Sequence, residues 1–288
     1  MQEPVRIGFV KLGNIGTAPI VEFLLDERAE RGDVSTRTVG AGSKIGTVEA
    51  EEVATKLLDF KPQAAIVLSP NAALPGPTKA RQVLAEAGVP TIVVSDGPTK
   101  KVLKQLEDGG FGYIVVEGDA MIGARREFLD PVEMAIFNSD IIKVLSVTGA
   151  LKAVTDEIDK VIDALKKGER PVLPRLVLDK ERATEAAGFS NPYARAKAIA
   201  AYEVSCRVAA MTTEACFLVK DWERYTALAA AAHEAMRVAS VLADEAREIE
   251  KACDSLLRSP HHDDGAVLSK RKLIEKPRRS EQPKGDVL

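Results

Sequence analysis

Apolar and polar residues alternate in blocks over the first 116 positions, and these blocks predict strands and helices in turn. The apolar runs Val5–Val10, Ala64–Leu68, Thr91–Ser95 and Tyr113–Val116 have the continuous hydrophobicity of strands buried on both faces of a parallel sheet. One further strand is predicted at Ser35–Val39. Apolar residues at helical spacing predict four helices between the strands: Ala18–Ala29, Val48–Phe60, Pro77–Ala87 and Thr99–Leu106. Five βα units predict an α/β fold with a doubly wound, mostly parallel, Rossmann-like sheet.

The pattern changes after Gly118, where long stretches with helical spacing dominate. The helices predicted there are Pro131–Lys167, broken near Thr148 and Gly149, then Pro192–Met211 and Thr226–Leu257. Short strands are predicted within Gly168–Asp179 and at Glu214–Asp221. The predicted domains are an α/β domain over 1–130, a helical bundle with a small antiparallel β segment over 131–276, and a disordered tail over 277–288.

Composition and charge narrow the class of protein. A hydrophobic content of 45% and a charged content of 29% are typical of globular domains. The net charge of −3 is unlike that of a dedicated nucleic-acid binder. The three cysteines show no CxxC spacing, and no apolar run approaches the roughly 20 residues that span a bilayer. The chain starts directly in a predicted strand rather than in a signal peptide, so we expect a cytoplasmic protein.

A glycine turn, FVKLGNIGT, joins the first predicted strand to the first predicted helix. A dinucleotide fingerprint requires three glycines and an acidic residue about 20 positions later. Here Gly13 and Gly16 fit, but Lys11 replaces the first glycine, and Val39 and Gly40 stand where the acid belongs. The turn still opens a helix, whose amino end can bind an anion. The alternative is that the glycines only pack the helix against the sheet.

Other familiar catalytic patterns do not occur in the sequence. There is no GxxxxGK[ST] loop, and the adjacent residues His261, His262, Asp263 and Asp264 lack the spacing of a zinc site, so we expect no catalytic metal. No nucleophile–base pair stands out. Such a site suits a reaction that requires mainly orientation and electrostatics, for example hydride transfer between two bound molecules.

Several blocks of the chain resemble the archaeal coenzyme F420-dependent methylenetetrahydromethanopterin dehydrogenases. The blocks are FVKLGNIGT, PNAALPGPTKAR, GDAMIGARREFLDPVEMAIFNSDIIKVLSVTG, NPYARAKAIAA, AHEAMRVASVLADEAREIEK and LRSPHHDDGAVLSKRKL. The resemblance covers nearly the whole chain up to about Lys276. It implies reversible hydride transfer between methylenetetrahydromethanopterin and coenzyme F420, in archaeal one-carbon metabolism such as methanogenesis. It also implies no metal, flavin or nicotinamide, and a homohexamer built as a trimer of dimers. From the charge and the short apolar runs we expect no nucleic-acid and no membrane partner.

The resemblance, with loop position and charge, suggests roles for individual residues. Asp96 and Asp130 are expected to bind pterin N–H groups and to stabilise the forming cation. At the glycine turn, the residues expected near polar or anionic groups of a ligand are Gly13, Asn14, Gly16 and Thr17. Pro70 and Asn71 are expected to shape the ring pocket, and His261 is expected to bind a ring. The anionic tails are expected to bind Arg125, Arg126 and Lys270.

Two other functions remain open at this point. One is an NAD(P)-dependent pterin dehydrogenase, against which the incomplete glycine fingerprint counts. The other is a non-enzymatic ligand-binding protein with an α/β fold, which composition alone does not exclude.

Overall fold

The computed structural model describes residues 3–19, 31–120, 123 and 125–279. Its central feature is a sheet of six parallel strands in the order β2-β1-β3-β4-β5-β6. The strands are β1 (Val5–Lys11), β2 (Val34–Gly40), β3 (Ala64–Ser69), β4 (Thr91–Asp96), β5 (Gly112–Val116) and β6 (Arg175–Leu178). The order reverses between β1 and β3, and this switch point opens a crevice at the carboxyl ends of the strands.

Helices cover both faces of the sheet, which explains why its central strands are apolar throughout. They are α1 (Thr47–Leu58), α2 (Pro75–Glu86), α3 (Leu103–Asp108), α4 (Pro131–Thr148), α5 (Ala150–Lys166), α6 (Lys180–Ala187), α7 (Pro192–Thr213) and α8 (Trp222–Ala252). One core joins Phe9 and Ile66 of the sheet to α4, α5, α7 and α8, while Val10 and Val67 face α1 and α2 on the other side. The predicted α/β fold is therefore confirmed.

The predicted break in the first long helix is confirmed at Gly149. This residue has φ +92, and a Cβ there would lie 2.2 Å from the carbonyl oxygen of Ala183. Only glycine fits both the left-handed backbone and the close approach of α6. Within the described ranges no single helix is long and apolar enough to cross a bilayer, and α4 with α5 passes that test only as a pair bent by 67°.

The strand predicted at Glu214–Asp221 is wrong. The chain continues from α7 into a π-helix over Glu214–Leu218, and Phe217 is 63% exposed. A run of apolar residues predicts a strand only if a neighbouring strand can pair with it, whereas this run extends a helix in which Val219 N donates to the Glu214 carbonyl.

The strand predicted within Gly168–Asp179 exists, but it is β6 of the main sheet, where Leu176 pairs with Ile114 in parallel. The small antiparallel pair is instead formed by β7 (Leu268–Ser269) and β8 (Arg278–Arg279). Residues 278 and 279 thus lie in a strand rather than in the predicted disordered tail. The domain boundary at residue 130 stays a prediction, although the sheet takes its last strand from beyond it.

One predicted helix differs in detail, one is described only at its start, and one helix, α6, was not predicted. The helix predicted at Thr99–Leu106 starts as a 3₁₀ helix over Gly97–Val102 and continues as α3. Of the helix predicted at Ala18–Ala29, only Ala18 and Pro19 are among the described residues, and both are helical. The remainder of that prediction lies outside them.

Candidate active site

A cavity of about 490 Å³ lies at the carboxyl ends of β3, β4 and β5. Its sheet side includes Pro70, Asp96 and Asp119, and the end of α7 with the π-helix covers the opposite side through Ala209 and Glu214. Strand-end loops meet at this edge of a parallel sheet, where open α/β proteins bind their ligands. The cavity is therefore the candidate active site.

Asp96, the last residue of β4, supplies a buried carboxyl group to this cavity. The residue is only 4% exposed, and its Oδ1 has no hydrogen-bond partner in the part of the chain that the structure describes. Burial, followed by the charge of Asp119, raises the pKa of Asp96 well above its ordinary value. Both causes favour the neutral acid. The sequence prediction of Asp96 as a site residue is consistent with this position.

Asp119 lies three residues beyond β5 and binds the glycine turn that follows β1. Its Oδ1 accepts a hydrogen bond from Gly16 N at 2.9 Å, and its Oδ2 accepts one from Thr17 N at 2.8 Å. Burial raises the pKa of Asp119 to about 6, although these N–H groups lower it. The expectation that Gly16 and Thr17 offer free N–H groups to a ligand is wrong, because a carboxylate of the chain itself occupies them.

Sequence reasoning missed Asp119, although a signal was present. The residue stands in the loop that follows the fifth predicted strand, and such loops had already marked Asp96. What the pattern alone did not show is that this loop reaches the glycine turn, 103 positions earlier in the chain.

The walls of the cavity are tied together by buried hydroxyl groups. Ser95 Oγ donates to the Ser69 carbonyl at 2.6 Å and lies 2.7 Å from Thr99 Oγ1, which accepts from Ala72 N at 2.9 Å. These bonds fix the loop after β3 to the loop after β4. The rigid walls keep the Asp96 carboxyl in one place.

A second set of bonds joins α7 to the loop after β5. Tyr202 Oη accepts from Gly118 N at 3.2 Å and donates to the Leu178 carbonyl at 2.5 Å. Ser205 Oγ donates to the Gly118 carbonyl. Because Asp119 follows Gly118, these bonds position its carboxylate. At the mouth of the cavity Lys100 forms an ion pair with Glu117.

Two of the remaining predicted site residues, Gly13 and Asn71, adjoin Pro70, which belongs to the cavity wall. Gly13 is buried with φ +74, and the ring of Pro70 is 3.2 Å from the position of a Cβ there. Pro70 lines the cavity itself. Asn71 Oδ1 accepts from Ala73 N at 3.0 Å, which stabilises the loop. Asn14 is half-buried.

Arg125 and Asp130 have structural partners in place of the predicted ligand contacts. Arg125 Nε donates to the Ala215 carbonyl at 3.1 Å, and its guanidinium carbon is 4.3 Å from the centroid of the Tyr225 ring. The predicted tail-binding role of Arg125 is therefore not supported. Asp130 is exposed and caps α4 by accepting from Glu133 N at 2.8 Å. It is not among the cavity residues, so its catalytic role stays a prediction. The tail-binding role of exposed Arg126 also stays a prediction.

His261 lies at the opposite edge of the sheet, so the structure does not place it beside a ring in this cavity. Its Nε2 is 2.8 Å from Asp159 Oδ2, and Asp159 also pairs with Arg31 at 3.3 Å. Arg31 pairs in turn with Asp33 at 2.9 Å, and Asp33 immediately precedes β2. The amino ends of the strands form that edge. These contacts among His261, Asp159, Arg31 and Asp33 join the segment after α8 to the amino edge of the sheet.

Lys270 is also engaged within that carboxyl-terminal segment. Its Nζ donates to the carbonyls of Leu273 at 3.2 Å and Glu275 at 3.3 Å. The predicted contact of Lys270 with an anionic tail is not supported, because its ammonium group already donates hydrogen bonds to backbone carbonyls.

One group of possible metal ligands occurs within the described ranges: His262, Asp263 and Asp264. All three are exposed, and Asp264 also binds Arg279 and Ala266 N. The group lies in the segment after α8, apart from the cavity.

The chain matches proteins of one activity along nearly its whole length. The family model for methylene-5,6,7,8-tetrahydromethanopterin dehydrogenase matches residues 5–278. F420-dependent methylenetetrahydromethanopterin dehydrogenases from Archaeoglobus fulgidus and Methanocaldococcus jannaschii are 54% and 48% identical to it, each covering 95% of this chain and 99% of the relative.

A solved structure is similar to this chain in both fold and sequence. It shows an F420-dependent methylene-tetrahydromethanopterin dehydrogenase in complex with methylene-tetrahydromethanopterin and coenzyme F420, with a TM-score of 0.92, 47% identity, and coverage of 95% of this chain and 99% of that one. The resemblance seen in the sequence is thereby confirmed, and the chain belongs to the methylenetetrahydromethanopterin dehydrogenase family.

Proposed function

We propose that the protein catalyses reversible hydride transfer between methylenetetrahydromethanopterin and coenzyme F420, which yields methenyltetrahydromethanopterin and reduced F420. The observation that carries the proposal is the cavity at the strand ends, where the buried carboxyl groups of Asp96 and Asp119 meet. The names of the relatives and the two molecules bound in the similar solved structure support it. The reaction belongs to archaeal one-carbon metabolism.

The cavity suits the electrostatics of this reaction. Hydride loss leaves a positive charge on the pterin, and a buried carboxylate stabilises such a charge more strongly than water does. The two ring systems must stack with the donor and acceptor carbons roughly 3–3.5 Å apart. The rigid loops after β3 and β4, with Pro70 at the wall, provide such an orienting surface. We place Asp96 beside the reacting rings, and Gly13, Asn14 and Asn71 at the edge of the ligand site.

The rival functions are weaker on specific grounds. A nicotinamide enzyme would use the amino end of the first helix for the pyrophosphate. Here the Asp119 carboxylate occupies the N–H groups of Gly16 and Thr17, and it would repel a phosphate. A protein that only binds ligands would not require two neighbouring buried carboxyl groups, which cost free energy to bury.

We further propose a homohexamer, a trimer of dimers, in the cytoplasm. Exposed apolar side chains on α4 and α8 support an interface between copies: Val132, Met134, Ile136, Val238 and Val241. The three cysteines form no disulfide, as is common in a reducing compartment. Analytical ultracentrifugation of the wild type and of Val238→Glu tests the assembly. A hexamer that the variant dissociates is the expected result, whereas a monomeric wild type would overturn it.

Hydride transfer is tested directly by mixing the protein with methylenetetrahydromethanopterin and F420 and following the deazaflavin absorbance band. We expect reduction of F420, and deuterium from a labelled methylene group should appear at C5 of the deazaflavin. NADP in place of F420 serves as the control and should give no reduction. Turnover with NADP alone would establish the nicotinamide rival, and turnover with neither would favour the binding protein.

A further inference from the structure

The proposed reaction consumes a proton that neither substrate supplies. A C–H bond of the methylene carbon breaks, its electron pair moves with the hydrogen to C5 of the deazaflavin, and the pterin is left as a methenyl cation. A deazaflavin that has received only a hydride is an anion, and it needs one proton on a ring nitrogen to give the neutral reduced ring. A buried site for this chemistry therefore needs an acid beside the rings.

Asp96 is the carboxyl group of the cavity that suits this task. Its Oδ1 is buried and has no hydrogen-bond partner anywhere in the described ranges. An ionised oxygen in that position would lose its water without replacement, so the geometry favours the neutral acid. Substrate rings that fill the cavity would supply the first partner for this group.

The neighbouring acids are already engaged as anions. Both oxygens of Asp119 accept backbone N–H groups, and such hydrogen bonds stabilise a carboxylate. Glu117 forms an ion pair with Lys100. Two buried carboxyl groups in one cavity do not both ionise readily, and the hydrogen bonds place the charge on Asp119. The proton of the pair then resides on Asp96.

The other titratable groups around the cavity do not compete as proton donors. Cys206 faces it from α7, and burial raises the pKa of its thiol to about 12. Glu214 faces it from the π-helix but is exposed, so it is not a buried acid held beside the rings.

We propose that Asp96 is protonated in the free enzyme and transfers this proton to the deazaflavin as the hydride arrives, leaving its carboxylate beside the methenyl cation. The O–H bond of Asp96 breaks, an N–H bond of the deazaflavin forms, and the electron pair of the O–H bond stays on the oxygen. One positive charge on the pterin and one negative charge on Asp96 thus appear together. In the reverse direction the carboxylate takes the proton back. This inference rests on the proposed function.

The test compares the wild type with Asp96→Asn and Asp96→Glu in single-turnover hydride transfer, in H₂O and in D₂O. Asparagine keeps the size and the neutral charge but has no acidic proton. We expect a solvent isotope effect in the wild type, a rate lower by about 10²–10⁴-fold in Asp96→Asn with KM changed only a few-fold, and partial recovery in Asp96→Glu. The matched control is Asp108→Asn, an exposed carboxyl on α3 whose loss should leave the rate unchanged.

An infrared difference spectrum between the wild type and Asp96→Asn tests the protonation state without turnover. It should contain the carbonyl band of a protonated carboxyl group in the free enzyme, and this band should disappear when the two products are bound. Wild-type hydride transfer in Asp96→Asn, or an ionised Asp96 in the free enzyme, overturns the inference. Failure of the wild type to transfer hydride would instead overturn the proposed function, while the infrared result on the free enzyme still reports on Asp96. Circular dichroism verifies that each variant is folded.

Discussion

The carboxylate of Asp119 accepts the backbone N–H of Gly16 at 2.9 Å, so the loop after the fifth strand binds the glycine turn after the first. This bond joins residues 103 positions apart across the sheet order β1-β3-β4-β5. It places a negative charge at the turn after β1, the position where many α/β proteins bind phosphate. The same bond also brings that charge to the cavity in which Asp96 is buried.

Asp119 should make stability depend on pH. Burial raises its pKa from an ordinary value of 3.8 to about 6, so the folded protein holds this proton more tightly than the unfolded chain does. The resulting stabilisation is present below about pH 4 and is lost as the pH rises through about 6. Comparing thermal unfolding of the wild type and Asp119→Asn between pH 4 and 7 measures it. The stability difference should change by an amount on the order of 1–3 kcal/mol. A difference that is independent of pH would contradict the assigned pKa.

Gly16→Ala should disrupt the contact between the glycine turn and the cavity. A Cβ at Gly16 would lie 2.5 Å from Ile141 Cγ2 and 2.7 Å from Asp119 Oδ1, so either the turn or the carboxylate must move. We expect a loss of about 1–3 kcal/mol of stability, together with lower kcat. Gly97→Ala is the control for stability, since a Cβ there meets nothing within 4 Å. Equal melting temperatures for the two variants would show that the turn is loosely packed.

The sheet could be predicted because local hydrophobicity determines it. The run at Ala64–Leu68 is buried on both faces by helices, and such a strand carries the same signal whatever its partners are. The π-helix at Glu214–Leu218 could not be predicted in this way, because its apolar run has the composition of a strand. Whether such a run forms a strand or part of a helix depends on whether a free sheet edge is available to pair with it. The same reason explains β6, whose place beside β5 depends on the tertiary fold.

A residue of the candidate site could be predicted only where it stands at the carboxyl end of a predicted strand. Asp96 ends β4 and lies in the cavity as expected. Arg125 and Lys270 were expected at anionic tails from their charge, yet each binds backbone carbonyls. Charge in a sequence shows what a side chain can bind, whereas its partner depends on which atoms the fold brings near. Backbone oxygens of the π-helix and of the last segment were not visible in the pattern.

Gly149 should be less tolerant of substitution than a glycine of similar backbone conformation. Gly149 and Gly168 have φ +92 and +73, but only at Gly149 would a Cβ clash, 2.2 Å from the Ala183 carbonyl oxygen. Gly168→Ala should cost about 1 kcal/mol from backbone strain alone. Gly149→Ala should cost several times more, because α4, α5 and α6 must separate. Denaturant unfolding measures both, and similar losses would show that α6 moves easily.

Substitutions of the neighbouring residues Arg125 and Arg126 should distinguish a role in stability from a role in ligand binding. Arg125→Ala removes hydrogen bonds to two backbone carbonyls and the contact with Tyr225, so we expect about 1–3 kcal/mol lower stability. Arg126 is exposed, and Arg126→Ala should leave stability within about 0.5 kcal/mol. If Arg126 binds an anionic tail, its variant raises KM for one substrate. Unchanged KM values for both substrates would remove that role.

His261→Ala should weaken the fold without impairing substrate binding. His261 is buried against Asp159 at the amino edge of the sheet, whereas the cavity lies at the carboxyl edge. Loss of this buried contact should lower the free energy of unfolding by about 1–3 kcal/mol, with KM and kcat unchanged below the melting temperature. His262→Ala is the matched control, because the neighbouring ring is exposed and its loss should have little effect. Steady-state kinetics decide the matter: a raised KM in His261→Ala alone would restore the ring-binding role expected from the sequence.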